Sequence, residues 1–156
     1  MRRSSTSLTI LALALATAST GVYAAQLEEI IVTAQKREQS LQDIPVTVSV
    51  TSGETLQRAS IVDLIDLQTS VPSLRVNQLQ SSAQTNFTIR GFGNGANNPG
   101  IEPAVSVYID GVPRSRSASS LADLPTVQRV EVLSGPQSTL FGKNASAGVI
   151  SVTTLL

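Results

Sequence analysis

Val127-Gln128-Arg129-Val130-Glu131-Val132-Leu133-Ser134-Gly135-Pro136-Gln137-Ser138-Thr139-Leu140-Phe141-Gly142-Lys143-Asn144-Ala145-Ser146-Ala147-Gly148-Val149-Ile150 is the stretch around which the chain is organised. Val127 to Leu133 alternates apolar and polar residues, the period of a strand with two different faces. Gly135-Pro136 interrupts it and starts a short helix that Gly142 stops, since proline suits a first turn and glycine an end. Ala147 to Thr153 then reads as a second strand. A strand, a short helix and a further strand within so few residues point to a small sheet decorated with helical turns.

Working outward, the same grammar recurs. Val105, Val107 and Ile109 alternate with Ser106, Tyr108 and Asp110 before an Asp110-Gly111 turn. Phe87 to Arg90 predicts a short strand running into Gly91-Phe92-Gly93-Asn94-Gly95-Ala96-Asn97-Asn98-Pro99-Gly100, whose glycine, asparagine and proline content predicts a long exposed loop. Leu74 to Leu79 alternates as well. Ser60-Ile61-Val62-Asp63 predicts a helix start, with Ile61, Leu64, Ile65 and Leu67 on one face and Pro72 as its stop. Thr51-Ser52-Gly53-Glu54 resembles a capping box leading into a turn or two of helix through Ala59. Val46, Val48 and Val50 alternate with Thr47, Ser49 and Thr51, so folded sequence is expected from Pro45 or slightly before. Four to six short strands with short helices between them make an α+β domain with a mixed sheet.

The N-terminal part has a different character. Arg2 and Arg3 precede an apolar run from Leu8 to Ala18, too short for a mature span of roughly 20 residues. Val22-Tyr23-Ala24 offers small residues at a peptidase site, so residues 1–24 are expected to be an export signal cut after Ala24. Residues 25–43 are polar apart from Ile30-Ile31-Val32 and predict a flexible arm with one short apolar, exposed segment. The folded domain is expected over 44–154.

Composition excludes much. Eleven basic residues balance eleven acidic ones, and there is no His and no Cys. That removes histidine acid/base chemistry, thiol nucleophiles, disulfides and Cys/His zinc sites. No strong field marks the chain for nucleic acid. Residues 135–144 fail the phosphate-loop pattern, having Gln137 where glycine is needed and Asn144 where a hydroxyl would hold magnesium. Gly91-Phe92-Gly93 lacks the dinucleotide spacing. The acidic residues stand singly. Neither an enzyme nor a cofactor is expected, and four aromatic residues beyond the leader are too few for the girdles of a small membrane barrel.

Four blocks together resemble the TonB-dependent outer-membrane receptors. They are Glu28-Glu29-Ile30-Ile31-Val32-Thr33-Ala34-Gln35-Lys36-Arg37, Asn86-Phe87-Thr88-Ile89-Arg90-Gly91-Phe92-Gly93, Val107-Tyr108-Ile109-Asp110-Gly111-Val112-Pro113, and residues 127–150 quoted above. The resemblance implies a plug domain, a small mixed α+β unit lodged in a barrel of about 22 strands. It implies an energy-coupling box at Glu29, Ile30, Ile31, Val32, Thr33 and Ala34 that a TonB-type motor protein grips from the periplasm. A β-branched segment suits strand addition to a partner's sheet edge. It further implies barrel docking by Arg90 and Glu131, and a substrate-facing loop carrying Phe92, Asn94, Asn97 and Asn98. The ligand would be an iron–siderophore complex, cobalamin or an oligosaccharide.

Two departures stand out: Ser134 replaces the usual arginine before Gly-Pro, and the sequence stops at Leu155-Leu156, where the family runs on into the barrel. A barrel of about 22 strands needs roughly 220 residues before loops, so the cognate barrel is expected to be missing here. The full-length receptor would lie in the outer membrane, this chain alone in the periplasm. The rival expectation is a free periplasmic plug-like module that engages the motor protein without transport.

Overall fold

The computed structural model describes residues 31–32, 39–95, 100–120 and 126–155. Among these residues ten strands run β1 Ile31–Val32, β2 Gln39–Ser40, β3 Thr47–Ser52, β4 Leu74–Gln78, β5 Thr85–Ile89, β6 Phe92–Gly93, β7 Val105–Ile109, β8 Val112–Arg114, β9 Val127–Ser134 and β10 Gly148–Thr154. Two α-helices, α1 Gly53–Arg58 and α2 Ser138–Phe141, and short 3-10 turns join them. The centre is a five-stranded mixed sheet in the order β3-β9-β10-β7-β8, with β10 parallel to β7 and the other pairs antiparallel. A three-stranded antiparallel sheet, β4-β5-β6, lies beside it.

Both faces of the central sheet are covered, which explains why β9 is buried almost continuously from Val130 onward. On one face Val130, Val132, Ile150, Val152, Val105 and Val107 meet Phe87, Ile89 and Leu74 of the small sheet, with Leu56, Ile61, Leu64, Leu67 and Val71 closing the core. On the other, Leu133, Val149, Tyr108 and Ala145 pack with Val32 and Ile44, flanked by Val46, Val48, Val50 and Phe141. The alternation in each strand therefore divides side chains between two cores rather than between core and water.

Local chemistry sets the element ends. Ser52 caps α1, its hydroxyl accepting from the Thr55 amide at 3.3 Å. Gly53 opens that helix against β9 so closely that a Cβ there would stand 1.9 Å from the Val127 carbonyl oxygen. Two hairpins share one device. Arg90-Gly91 joins β5 to β6 and Asp110-Gly111 joins β7 to β8, and all four residues have positive φ (53°, 81°, 49° and 78°). A two-residue turn of that hand matches the twist of the strands it joins.

Three expectations need correction. The segment 60–71 is not an α-helix. Ser60 has φ 55°, the Asp63 carboxylate accepts from the Asp66 amide at 2.8 Å, and only Asp66–Thr69 winds, as a 3-10 turn. Its face still works as expected, with Ile61, Leu64 and Leu67 buried. Gly91 to Gly93 is hairpin rather than structureless loop. The arm expected at 25–43 contains the β1–β2 ribbon, pairing Ile31 with Ser40 and Val32 with Gln39, and Val32 is fully buried instead of exposed. A β-branched residue beside an apolar sheet face gains more by covering it than by staying in water.

Candidate functional site

Three places on the domain hold the residues that the sequence singles out. The first is the seat of the arm. Val32 lies among Ile44, Tyr108, Leu133, Ala145 and Val149. Tyr108 organises this seat from below, its hydroxyl donating to the Phe141 carbonyl at 2.6 Å and its ring meeting Phe141 edge-on at 5.1 Å. Burial pushes the Tyr108 phenol above its ordinary pKa. Glu29, Ile30, Thr33 and Ala34 lie outside the described residues.

The second is the charged row on the same face. Glu131 is completely buried, and its Oε1 accepts from Arg129 Nε at 2.7 Å. Residues two apart on a strand share a face, so the pairing follows from the sheet itself. The expectation that Glu131 reaches a barrel wall is thus corrected: its charge is engaged inside the domain, where leaving it uncompensated would be costly. Beside it Tyr108, Asp110, Gly111, Arg129, Phe141 and Ser151 line a cavity of about 450 Å³. Asp110 closes the far end, taking the Thr154 amide on one oxygen and the Thr154 hydroxyl on the other, both at 2.8 Å. Nothing in the spacing of 110 and 154 announced that clasp.

The third is the opposite end of the sheet. Arg90 is exposed at the rim of an apolar cavity of about 340 Å³ formed with Ile89, Phe92, Gly135, Pro136 and Ala147. Its backbone amide donates to the Ser73 carbonyl at 2.8 Å. Phe92 is 72% exposed, a large apolar side chain left in water. Asn94 donates to the Glu102 carbonyl, and the Glu102 carboxylate pairs with Lys143, so the segment leading into β7 is tied to the residues just after α2. Asn97 and Asn98 lie outside the described residues. Ser134, where the resemblance expected arginine, is buried. The site residues therefore divide between two ends of one domain, and the structure brings Arg90 to Phe92 but not to Glu131.

The sequence profile of the "TonB-dependent Receptor Plug Domain" matches residues 40–149. The chain belongs to that family. It is 32% identical over 126 residues to the pesticin receptor of Yersinia pestis, covering 80% of this chain and 18% of that relative. It is 30% identical over 132 residues to the vitamin B12 transporter of Vibrio vulnificus, covering 81% of this chain and 20% of that relative. The solved ferric yersiniabactin uptake receptor of Yersinia pestis superposes with a TM-score of 0.65 at 32% identity, over 71% of this chain and 17% of that one. The ferripyoverdine receptor of Pseudomonas aeruginosa shares the fold at 18% identity and a TM-score of 0.65. The plug domain thus spans about a fifth of the length of these relatives. All are receptors or transporters rather than enzymes.

Proposed function

We propose that this plug domain gates energy-coupled uptake of a small ligand, an iron–siderophore complex or cobalamin, through an outer-membrane receptor. The family match over residues 40–149 carries the reading. The relatives named for siderophore and vitamin B12 uptake support the ligand class. Residues 1–24 would export the chain, Arg90 would dock the plug against the wall, and Phe92 with Asn94, Asn97 and Asn98 would face the ligand. Residues Glu29 to Ala34 would be gripped by a TonB-type energy-transducing protein.

The ribbon gives this last step a physical form. A segment already paired as a strand, β1 against β2, has the backbone conformation that a new sheet edge requires. Engagement would exchange β2 for the partner's strand and lift Val32 from its seat. Ile31→Pro removes one amide donor and should weaken binding of the motor's periplasmic domain at least tenfold, measured by titration calorimetry on the chain from Ala25 onward. Gln39→Ala keeps its backbone and should bind as the parent does. Equal affinities for the two variants would remove the box from these residues.

A further inference from the structure

Small-molecule sites are concave, mostly apolar and carry a few placed polar groups, and the cavity beside Arg90 has that build. Its volume of about 340 Å³ falls at the lower end of the range such sites occupy. Ile89 and Ala147, both buried, line it together with Pro136 and the open ring of Phe92. The framework is firm. A Cβ on Gly148 would stand 2.6 Å from Ile89 Cδ1, so β5 and β10 meet here without slack. The positive φ values of Arg90 and Gly91 fix the hairpin, and with it the direction in which Arg90 leaves the backbone.

Charge and hydrogen bonding narrow what fits. Arg90 is the charged residue of this lining, and Ser146 adds a hydroxyl. Among the described residues Arg90 joins none of the ion pairs, which link Arg58 to Glu54, Arg129 to Glu131 and Lys143 to Glu102. The main chain around the cavity is already bonded. The Gly135 amide donates to the Ala147 carbonyl at 3.1 Å, and the Arg90 amide to the Ser73 carbonyl at 2.8 Å. A sugar would therefore find few partners, and a cation would meet a like charge. A small inorganic anion would lose its water against apolar walls. An aromatic ring bearing an acidic oxygen suits every group in place. Its face lies against Phe92 and Pro136, and the guanidinium takes the charge.

We propose that this cavity binds an aromatic acid, a ring carrying a carboxylate or phenolate, with Arg90 reading the charge and Phe92 covering the ring. Phe92, 72% exposed, withdraws apolar surface from water in doing so. That the acid belongs to the ligand taken up through a receptor rests on the reading above; the preference of the cavity does not. A guanidinium has several N–H donors, so Arg90 can hold this acid and still face the wall contact proposed for it.

Nitrogen-15 NMR titration of the full chain tests this with sodium benzoate, with sodium acetate for the charge alone and benzamide for the ring alone, all at one ionic strength. Benzoate should shift the amides of Arg90, Phe92, Gly135 and Ala147 saturably, and the other two probes should bind roughly fivefold more weakly or worse. Arg90→Asn, which suits the turn, should weaken benzoate by roughly fivefold or more and leave benzamide as it was. Phe92→Ala should weaken benzoate and benzamide alike, and it decides alone should the asparagine variant fail to fold. Shifts that never saturate, or that centre on Tyr108 and Thr153 at the other cavity, would overturn the proposal. So would unchanged benzoate binding in Arg90→Asn, or acetate binding as tightly as benzoate, the mark of a seat for a protein carboxylate. The motor protein takes no part in this titration, so benzoate binding and arm binding succeed or fail separately.

Discussion

Arg90 sits at φ 53°, a region that costs a non-glycine residue roughly 1–2 kcal/mol. The hairpin needs that conformation, but it does not need arginine. Asparagine tolerates it better, and so Arg90→Asn should raise stability by about 1 kcal/mol in urea melts. A side chain retained against its own backbone preference, exposed at the rim of a cavity, is where contact with another surface is expected. If the variant is less stable than the parent, the guanidinium has a structural partner within the domain and its docking role weakens. Tyr108 poses the opposite case, a residue whose contacts are internal. Tyr108→Phe removes the hydrogen bond to Phe141 and should cost about 1 kcal/mol at neutral pH. The sign with pH follows from the raised phenol pKa. The neutral phenol's contribution is complete below the unfolded value, about 10. It is lost as pH rises through the higher folded value, so parent and variant should converge in stability under alkaline conditions. A gap that stays constant between neutral pH and pH ~11 would contradict this.

At the level of elements, most strands are legible because alternation survives even where both faces are buried. Val46, Val48 and Val50 line one core while Thr51 is buried on the other side. The misread element is 60–71. Apolar residues at 61, 64 and 67 fit a helix, but a spacing of three serves a 3-10 turn equally well. The Asp63 side chain, by capping Asp66, decides for the turn. The arm is misread for a different reason: what buries Val32 is the face made by Leu133 and Val149, far away in sequence. The β5–β6 hairpin was hidden because Arg-Gly is a rarer pair for such a turn than the Asp-Gly that marks β7–β8. Gly53 turns these observations into a test. Alanine normally improves a helix by up to about 1 kcal/mol over glycine. Here the added carbon would meet the Val127 carbonyl at 1.9 Å, and α1 lies tight against β9 with no flexible side chain to yield. Sterics should win, and Gly53→Ala should lower stability by roughly 3 kcal/mol in thermal melts. A neutral or stabilising result would mean that α1 slides freely along β9.

For the molecule as a whole, the two-ended arrangement of the site residues matters more than any single contact. One end of the sheet carries Arg90 and Phe92 and the other the Asp110–Thr154 clasp, with the arm seated on the face between. The sequence blocks at 86–93, 107–113 and 127–150 made the family readable. They could not show that Glu131 is fully buried where it pairs with Arg129, because nothing in the sequence places β9 inside the sheet, between β3 and β10. Nor could they name a ligand. The architecture does settle what these strands can do in a bilayer. A spanning strand needs about 9–11 residues, and the longest among the described residues, β9, has 8, with charged Arg129 and Glu131 in its middle. The central sheet is open, ending in β3 on one side and β8 on the other, and only closure removes a sheet's edges within lipid. Both of its faces are already committed to cores, so none remains to meet acyl chains. Liposomes loaded with a small dye and exposed to the purified chain from Ala25 onward should therefore hold their contents as well as untreated ones. Planar bilayers should show no discrete conductance steps. Steps of constant size from this chain alone would require it to abandon the two-core fold for a closed wall, and the domain described here would then not be its membrane-active form.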